Sequence, residues 1–292
     1  MKSPPFDYAR ARSTEEVCDL LARHGEDAKI LAGGQSLVPM MAFRLLRPQW
    51  LIDINEIAAL KSLALEPDAV RMGAGARQSA VLGDDAVAAR VPLLRQALAF
   101  VGHAQTRNRG TIGGSLVQAD PSAELPLVAQ VLDAHVVLRS KSGTRTEPAA
   151  TFLAGPMTTT LRPDELLEDI LWPIWRDHKT GSAFTEVSRR HGDFAIVAAA
   201  AQVTLDHEGY FTRASFGVGG ASPVPVAFPA LARNLIGRRP EQATLRDIAH
   251  EAAATLEPGA DTHASAAYRR HLASVLLRRV LQAASEAAGA VQ

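Results

Sequence analysis

A pair of adjacent glycines, Gly33-Gly34, interrupts the first strongly patterned stretch of this chain. The short apolar run at residues 29–32 is typical of a strand, and residues 37–46 after the glycines have the apolar spacing of a helix. A second strand-like run follows at residues 50–54. Strand, glycine loop, helix and strand in this order predict a small α/β unit with parallel pairing, because parallel strands need a crossover connection.

The glycine pair permits ligand binding as well as a turn. Without side chains at Gly33 and Gly34, the backbone can approach a ligand closely and adopt positive φ. The loop opens a helix whose first N–H groups lack partners, and Ser36 adds a hydroxyl, so a pyrophosphate could bind there. The segment lacks the spacing of a Rossmann loop and the ending of a P-loop, which argues against NAD held in a Rossmann fold and against ATP. A tight strand-to-helix turn with a serine cap explains the same residues at least as well.

A second glycine segment repeats these residue types about 80 residues later. It reads Gly110-Thr111-Ile112-Gly113-Gly114-Ser115-Leu116, followed by Ala119-Asp120-Pro121. Two such loops could hold one diphosphate from two sides, and their joint occurrence is much less expected by chance than either loop alone. Asp120 has two compatible interpretations: it caps the following helix, or it binds a ribose hydroxyl or the edge of the diphosphate.

The rest of the chain mixes strands and helices without strict alternation, which indicates an α+β fold. We predict a first α/β subdomain at residues 1–57, a second, α+β subdomain at residues 58–176, and a C-terminal domain at residues 177–292. In this last part, strand-like runs at residues 183–188, 195–205 and 210–218 precede helical runs at residues 229–235, 244–255 and 264–288. A three-stranded antiparallel sheet with helices packed on one face satisfies this order.

Composition excludes several classes of function. Lys plus Arg (31) equals Asp plus Glu (31), whereas a protein that neutralises the phosphates of nucleic acid has a basic surplus. Cys18 is the only cysteine, so the chain can form neither an internal disulfide nor the ligands of an iron–sulfur cluster, and we predict no metal site. No apolar run approaches the about 20 residues needed to span a bilayer, and residues 1–12 do not resemble a secretory signal. We expect a cytoplasmic protein.

The residues around both glycine segments resemble those of one known family. Residues 32–41 (AGGQSLVPMM) resemble the first flavin motif of the FAD-binding medium subunits of molybdenum hydroxylases, the family of xanthine dehydrogenase and aerobic carbon monoxide dehydrogenase. Residues 102–121, with RNRGTIGGS and ADP, resemble the second motif. Residues 192–195 (GDFA) resemble a third, and residues 217–220 the start of the C-terminal portion. The resemblance covers nearly the whole chain.

This resemblance implies a bound, non-covalent FAD and a p-cresol methylhydroxylase-type FAD domain in two subdomains, followed by the C-terminal domain. It assigns no catalytic residue. The residues that it assigns to the cofactor are Leu31, Ala32, Gly33, Gly34, Gln35, Ser36 and Leu37, then Gly110, Thr111, Gly113, Gly114 and Ser115, and finally Asp120, Leu161, Leu166 and Phe194. The glycine loops surround the diphosphate in this assignment. Asp120 contacts the ribityl or ribose part, Phe194 lies near the isoalloxazine ring, and Leu161 or Leu166 lies near the ring or adenine edge.

The resemblance also implies partners. A large subunit carries the molybdopterin cofactor, and a small subunit carries [2Fe–2S] clusters that pass electrons to FAD and on to an external acceptor. The complex is expected to be a dimer of heterotrimers.

Two departures from the family pattern stand out: Val117-Gln118 replaces a frequent Ala-His, and Val224-Pro225-Val226 lacks the arginine that the family often carries directly after Ser-Pro. A self-contained FAD-dependent oxidase or dehydrogenase is the alternative function. Such an enzyme needs its own substrate pocket, and the sequence offers only three tyrosines and no evident cluster of polar side chains for one. A binding or regulatory module without flavin is a third, weaker hypothesis.

Overall fold

Three parallel strands form the first sheet of the computed structural model, which describes residues 2–291. Strands β1 (Asp7–Arg10), β2 (Ala28–Leu31) and β3 (Trp50–Asp53) lie in the order β1-β3-β2, and both pairs are parallel. The predicted parallel α/β unit is therefore confirmed. Strand β1 was not predicted, because this edge strand is largely exposed and has no apolar alternation.

The helices of this unit begin and end where local signals place them. Helix α1 (Thr14–His24) starts at Ser13, whose Oγ accepts a hydrogen bond of 3.2 Å from the N–H of Glu16, as a helix cap does. Helix α2 (Leu37–Ala42) follows the first glycine loop and is shorter than predicted. It ends before Arg44, whose φ of 59° is incompatible with a right-handed helix.

A five-stranded antiparallel sheet forms the middle of the molecule, with strand order β4-β5-β10-β6-β7. Its strands are β4 (Leu63–Leu65), β5 (Ala69–Gly73), β6 (His135–Ser140), β7 (Gly143–Pro148) and β10 (Leu166–Pro173), with a small separate hairpin of β8 (Leu153–Gly155) and β9 (Thr158–Thr159). The helices here are α3 (Gln78–Leu82), α4 (Asp85–Arg90), α5 (Pro92–Leu98), α6 (Ala104–Arg109), α7 (Ile112–Gln118), α8 (Glu124–Val131) and α9 (Ala149–Phe152). Helices α5, α7 and α8 contribute to the largest hydrophobic core of the molecule.

The third sheet lies in the C-terminal part and is antiparallel, in the order β11-β12-β13-β14. Its elements are β11 (Thr180–Val187), β12 (Val197–Leu205), β13 (Phe211–Gly219), β14 (Val226–Ala227), α10 (Pro229–Arg233), α11 (Gln242–Ala254) and α12 (Ala266–Ala290). The prediction of three strands was wrong by one. The two residues of β14 are too few to show any periodicity.

Strand β12 joins two hydrophobic cores, because successive side chains of a strand point to opposite faces. Val197 and Ala199 pack in the core that α11 and α12 cover. Ala198 and Ala200 pack in the core that contains α5 and α8. The third sheet is thus covered on both faces rather than one. None of the helices within residues 2–291 has both the length and the apolar character that crossing a membrane requires.

Candidate functional site

The first glycine loop, residues 32–36 (loop 1), follows the carboxyl end of β2 in the three-stranded parallel sheet. Within residues 2–291, no backbone or side-chain acceptor is hydrogen-bonded to the N–H groups of Ala32, Gly33, Gly34, Gln35 or Ser36. Gly34 has a φ of 73°, a left-handed conformation that turns the chain sharply at little cost for glycine. Backbone N–H groups that are free on consecutive residues are donors of the kind that binds anions.

The second glycine segment, residues 111–115 (loop 2), forms the cap and first turn of α7 and uses its backbone differently. The N–H groups of Ile112 and Gly113 donate to the carbonyls of Ala76 (3.0 Å) and Ala74 (2.9 Å). The Thr111 side chain caps α7 by accepting from the N–H of Gly114 at 3.1 Å. A Cβ at Gly113 would lie 2.8 Å from the carbonyl oxygen of Ala74, so this glycine allows backbone packing. Loop 2 is thus anchored to the residues that follow β5.

Loop 1 packs against the residues that immediately precede loop 2. A Cβ at Gly33 would collide with the carbonyl oxygen of Arg109 and lie 3.0 Å from the Cα of Gly110. Helices α2 and α7 are also in contact, since the Gln118 amide nitrogen lies 3.8 Å from the sulfur of Met40. Loop 1 and its neighbours line an open cleft of about 370 Å³. The lining residues are Leu31, Gly33, Gly34, Gln35, Val38, Pro39 and Arg109.

A side-chain bridge connects the loops beneath this cleft. The Arg77 guanidinium donates to the Arg109 carbonyl and, at 2.5 Å, to Oδ1 of Asn55. Asn55 in turn donates from Nδ2 to the carbonyl of Ala32 at 2.9 Å and to Oδ1 of Asp53 at 2.6 Å. The bridge therefore reaches the backbone at the start of loop 1 and the backbone just before loop 2.

Buried charge supports this bridge from the side of loop 1. Burial opposes ionisation of Asp53, but hydrogen bonds from the Tyr8 hydroxyl (2.5 Å) and from Asn55 outweigh it and lower the pKa of this carboxyl. Burial lowers the pKa of Arg77, and the positive charge of Arg109 lowers it further. Arg109, which lines the cleft, is therefore close enough to Arg77 for their positive charges to repel each other.

Three carboxyl groups that follow loop 2 in the chain have raised pKa values, in contrast to the lowered pKa of Asp53. Burial raises the pKa of Asp120, of Glu124 to about 7, and of Glu186 to about 8. The negative charge of Asp120 contributes to the shift at Glu124, and that of Glu124 contributes to the shift at Glu186. One Glu186 carboxyl oxygen is buried and has no hydrogen-bond partner within the described part of the chain. Glu186 therefore favours its protonated form at neutral pH.

These features fit a dinucleotide cofactor with a diphosphate. A diphosphate needs several N–H donors, nearby positive charge and close backbone approach, and loop 1 with Arg109 offers all three. Comparison with known proteins supports the same cofactor. Residues 4–175 match the family described as the FAD binding domain in molybdopterin dehydrogenase.

The chain belongs to this family.

Residues 182–284 match the CO dehydrogenase flavoprotein C-terminal domain. The 6-hydroxypseudooxynicotine dehydrogenase complex subunit alpha of Paenarthrobacter nicotinovorans is 40% identical over 96% of this chain and 95% of its own length. The carbon monoxide dehydrogenase medium chain of Afipia carboxidovorans is 34% identical over 96% of both chains. Among solved structures, carbon monoxide dehydrogenase from Hydrogenophaga pseudoflava superimposes with a TM-score of 0.95 at 33% identity, covering 98% of this chain and 99% of that one. This FAD-binding medium subunit therefore matches its relatives across almost its full length.

The remaining predicted site residues of the medium subunit lie at different distances from the cleft. Asp120 does not cap helix α8, which begins at Glu124 with Ala123 as its cap; its Oδ1 instead accepts from the N–H of Ser122 at 2.9 Å. That part of the prediction was wrong, because a left-handed residue, Ala119, places Asp120 in a turn of its own. Leu161 is partly buried, and the adjacent β9 packs against α7.

Leu166 and Phe194 differ sharply in exposure. Leu166 is 2% exposed and packs with Ile54 and Leu60 in the core of the first unit, so its side chain does not line the cleft. Phe194 is 63% exposed in the connection between β11 and β12. That connection touches the start of α6, since the His103 and His191 rings stack with their centroids 5.7 Å apart. The structure thus does not bring Leu166 to the cleft.

Asn55 and Arg77 were missed by sequence reasoning, whereas Arg109 is exposed and lines the cleft. One signal was available for Asn55: it follows β3, and ligands bind outside the carboxyl ends of parallel strands. Arg77 follows β5 of an antiparallel sheet, where no comparable rule applies.

Proposed function

We propose that this medium subunit is the FAD-carrying electron-transfer component of a heteromeric molybdenum hydroxylase, which takes electrons from [2Fe–2S] clusters on a small partner subunit and delivers them to an external acceptor. The observation that carries the proposal is the set of five free N–H groups of loop 1, held against the chain at Arg109 and Gly110. When bound, FAD supplies the exchange between one-electron and two-electron transfer.

The residues of the chain would hold the cofactor in distinct ways. The N–H groups of loop 1 would bind the diphosphate, and Arg109 would neutralise its charge. Loop 2 would contribute the hydroxyls of Thr111 and Ser115 rather than a row of N–H groups. Asp120 is proposed to contact the ribityl or ribose part.

Further from the diphosphate, Phe194 is proposed to lie near the isoalloxazine ring, and Leu161 near the ring or adenine edge. Phe194 is exposed in this chain alone, so it is available to a ligand or a partner. Leu166 is not in the site that we propose, because its side chain is buried in the hydrophobic core of the first unit. Binding without a covalent bond is proposed, since neither loop contains His or Cys.

The proposed partners are a large molybdopterin-binding subunit and a small [2Fe–2S] subunit, assembled as a dimer of heterotrimers in the cytoplasm. Relatives of similar identity belong to enzymes named for very different substrates, carbon monoxide at 34% and glyceraldehyde at 33%. This spread supports a role for the medium subunit that is independent of the substrate. We further propose that the units divide at residues 57 and 176, between the three sheets.

Reconstitution of the purified chain tests the proposal. Addition of FAD should give flavin absorbance near ~450 nm that co-elutes with the protein, and co-expression with the neighbouring coding sequences should yield a complex with molybdenum and iron–sulfur clusters. A chain that never binds FAD would refute the cofactor assignment. A chain that binds FAD and oxidises a substrate without partners would instead support a self-contained dehydrogenase.

A further inference from the structure

The bridge between Asn55 and Arg77 joins the segment at Ala32 to the segment at Arg109. It begins at the Ala32 carbonyl, passes through the Asn55 amide and the Arg77 guanidinium, and ends at the Arg109 carbonyl. Ala32 is the first residue of loop 1. Arg109 is separated from the start of loop 2 by one residue, Gly110. The bridge therefore links the start of loop 1 to the segment that leads into loop 2.

We propose that Arg77 and Asn55 are positioning residues that set the spacing of the two glycine loops for the FAD diphosphate. This inference rests on the proposed function, and it names residues that neither glycine motif contains. Both side chains act on loop backbones through carbonyl oxygens and leave the N–H groups of loop 1 free for the ligand.

The chemistry of the two side chains suits this role. A guanidinium has several donors in a rigid planar fork, so Arg77 can hold two acceptors at a fixed separation. An amide both donates and accepts, so Asn55 can receive one bond from Arg77 and give another to Ala32. The Asp53 carboxylate accepts from both the N–H (2.8 Å) and Nδ2 (2.6 Å) of Asn55, which fixes the orientation of the amide.

The contact at Gly33 explains why a fixed spacing is needed. The Arg109 carbonyl that accepts from Arg77 is the same atom against which the Cα of Gly33 packs. If Arg77 released this carbonyl, the peptide before loop 2 could turn toward loop 1 and narrow the space between them. Ligands that must contact both loops should therefore depend on Arg77 more than ligands that contact one.

The affinities of FAD and FMN, compared by quenching of flavin fluorescence, test the inference. FMN has a single phosphate, whereas FAD has the diphosphate that both loops are proposed to hold. We expect Arg77→Ala to lower the ratio of FAD affinity to FMN affinity at least tenfold. Asn55→Ala should lower it in the same way, and the double variant should lose little more than either single variant, because both remove one bridge. Arg77→Lys should recover only part of the ratio, since an ammonium group lacks the fork.

Arg71→Ala is the matched control, because Arg71 lies on β5 close to Arg77 in sequence and also bridges two partners, Glu66 and Asp169. It should change the melting temperature of the apoprotein but leave the affinity ratio within twofold of wild type. An unchanged ratio in both Arg77→Ala and Asn55→Ala, or an equal fall in Arg71→Ala, would overturn the inference. These outcomes leave FAD binding by the wild type intact, so they differ from failure of the proposed function, in which the wild type binds no FAD.

Discussion

In loop 1 five consecutive N–H groups have no acceptor within the described chain, whereas in loop 2 four of the five N–H groups are already bonded. The acceptors in loop 2 are the carbonyls of Ala74, Ala76 and Thr111 and the Thr111 hydroxyl. Loop 1 is therefore free to bind a ligand, and loop 2 is a structural support in which Thr111 is buried and Ser115 is partly exposed. Similar residue types leave the N–H groups free in loop 1 but mostly bonded in loop 2, because loop 2 packs against backbone carbonyls that accept hydrogen bonds from it, those of Ala74 and Ala76.

Gly33→Val should have the largest effect, because it places a side chain in loop 1 where the backbone contacts the Arg109 carbonyl. Wild type in FAD at ~1,000 times its dissociation constant should gain about 4 kcal/mol of stability, and the variant should gain almost none. Thermal melts with and without FAD measure this. Gly259→Val is a suitable control, since no atom lies within 4 Å of a Cβ built there; a normal gain for Gly33→Val would contradict the assignment of loop 1.

Gly113→Ala should separate the two loops by the kind of damage that it causes. Its Cβ would press on Ala74, so the apoprotein should lose about 1–3 kcal/mol of unfolding free energy. The loss should appear without FAD, in denaturant titrations of the apoprotein. If Gly113→Ala left apoprotein stability unchanged and only weakened FAD binding, loop 2 would be a binding loop like loop 1.

The pH dependence of stability should also differ between Glu186 on β11 and Asp53 on β3. The pKa of Glu186 is raised to about 8, so this group favours the folded state fully below its unfolded pKa, and the contribution is lost as pH rises toward 8. Asp53 has the opposite sign: its pKa is lowered, so its contribution is present above the unfolded value and is lost in acid.

Glu186→Gln should therefore stabilise the apoprotein at pH 8.5 by on the order of 1 kcal/mol, with a smaller gain at pH 5. Thermal melts across this range measure the difference. Glu257→Gln, at an exposed position, serves as the control. A constant difference between Glu186→Gln and wild type at all pH values would argue against a buried protonated carboxyl.

Thr111→Val should have the smallest effect, because it removes a single cap from α7. The expected cost is about 1 kcal/mol of apoprotein stability, and Thr111→Ser should restore most of it. Denaturant midpoints of the three proteins give the comparison. If Thr111→Ser were as unstable as Thr111→Val, the hydroxyl would not be the stabilising group.

Local patterns predicted much of the fold. The strands at residues 29–32 and 50–54 and the helix after the first glycine pair form where predicted, and the parallel pairing of β2 with β3 follows from the connection through α2. Edge and very short strands were missed, since β1 is exposed and β14 has only two residues. Their pairing depends on neighbours that are distant in sequence.

The sequence by itself determined that two glycine segments with serine hydroxyls exist and that each lies at the start of a helix, because these are local properties of a few adjacent residues. Only the tertiary structure decided which loop keeps its N–H groups free. The acceptors for loop 2 come from Ala74 and Ala76, more than 30 residues earlier in the chain. The bridge of Asn55 and Arg77 likewise joins residues that follow strands of two different sheets, β3 and β5. No local pattern encodes such contacts, since they arise when the β5 connection packs against the second loop.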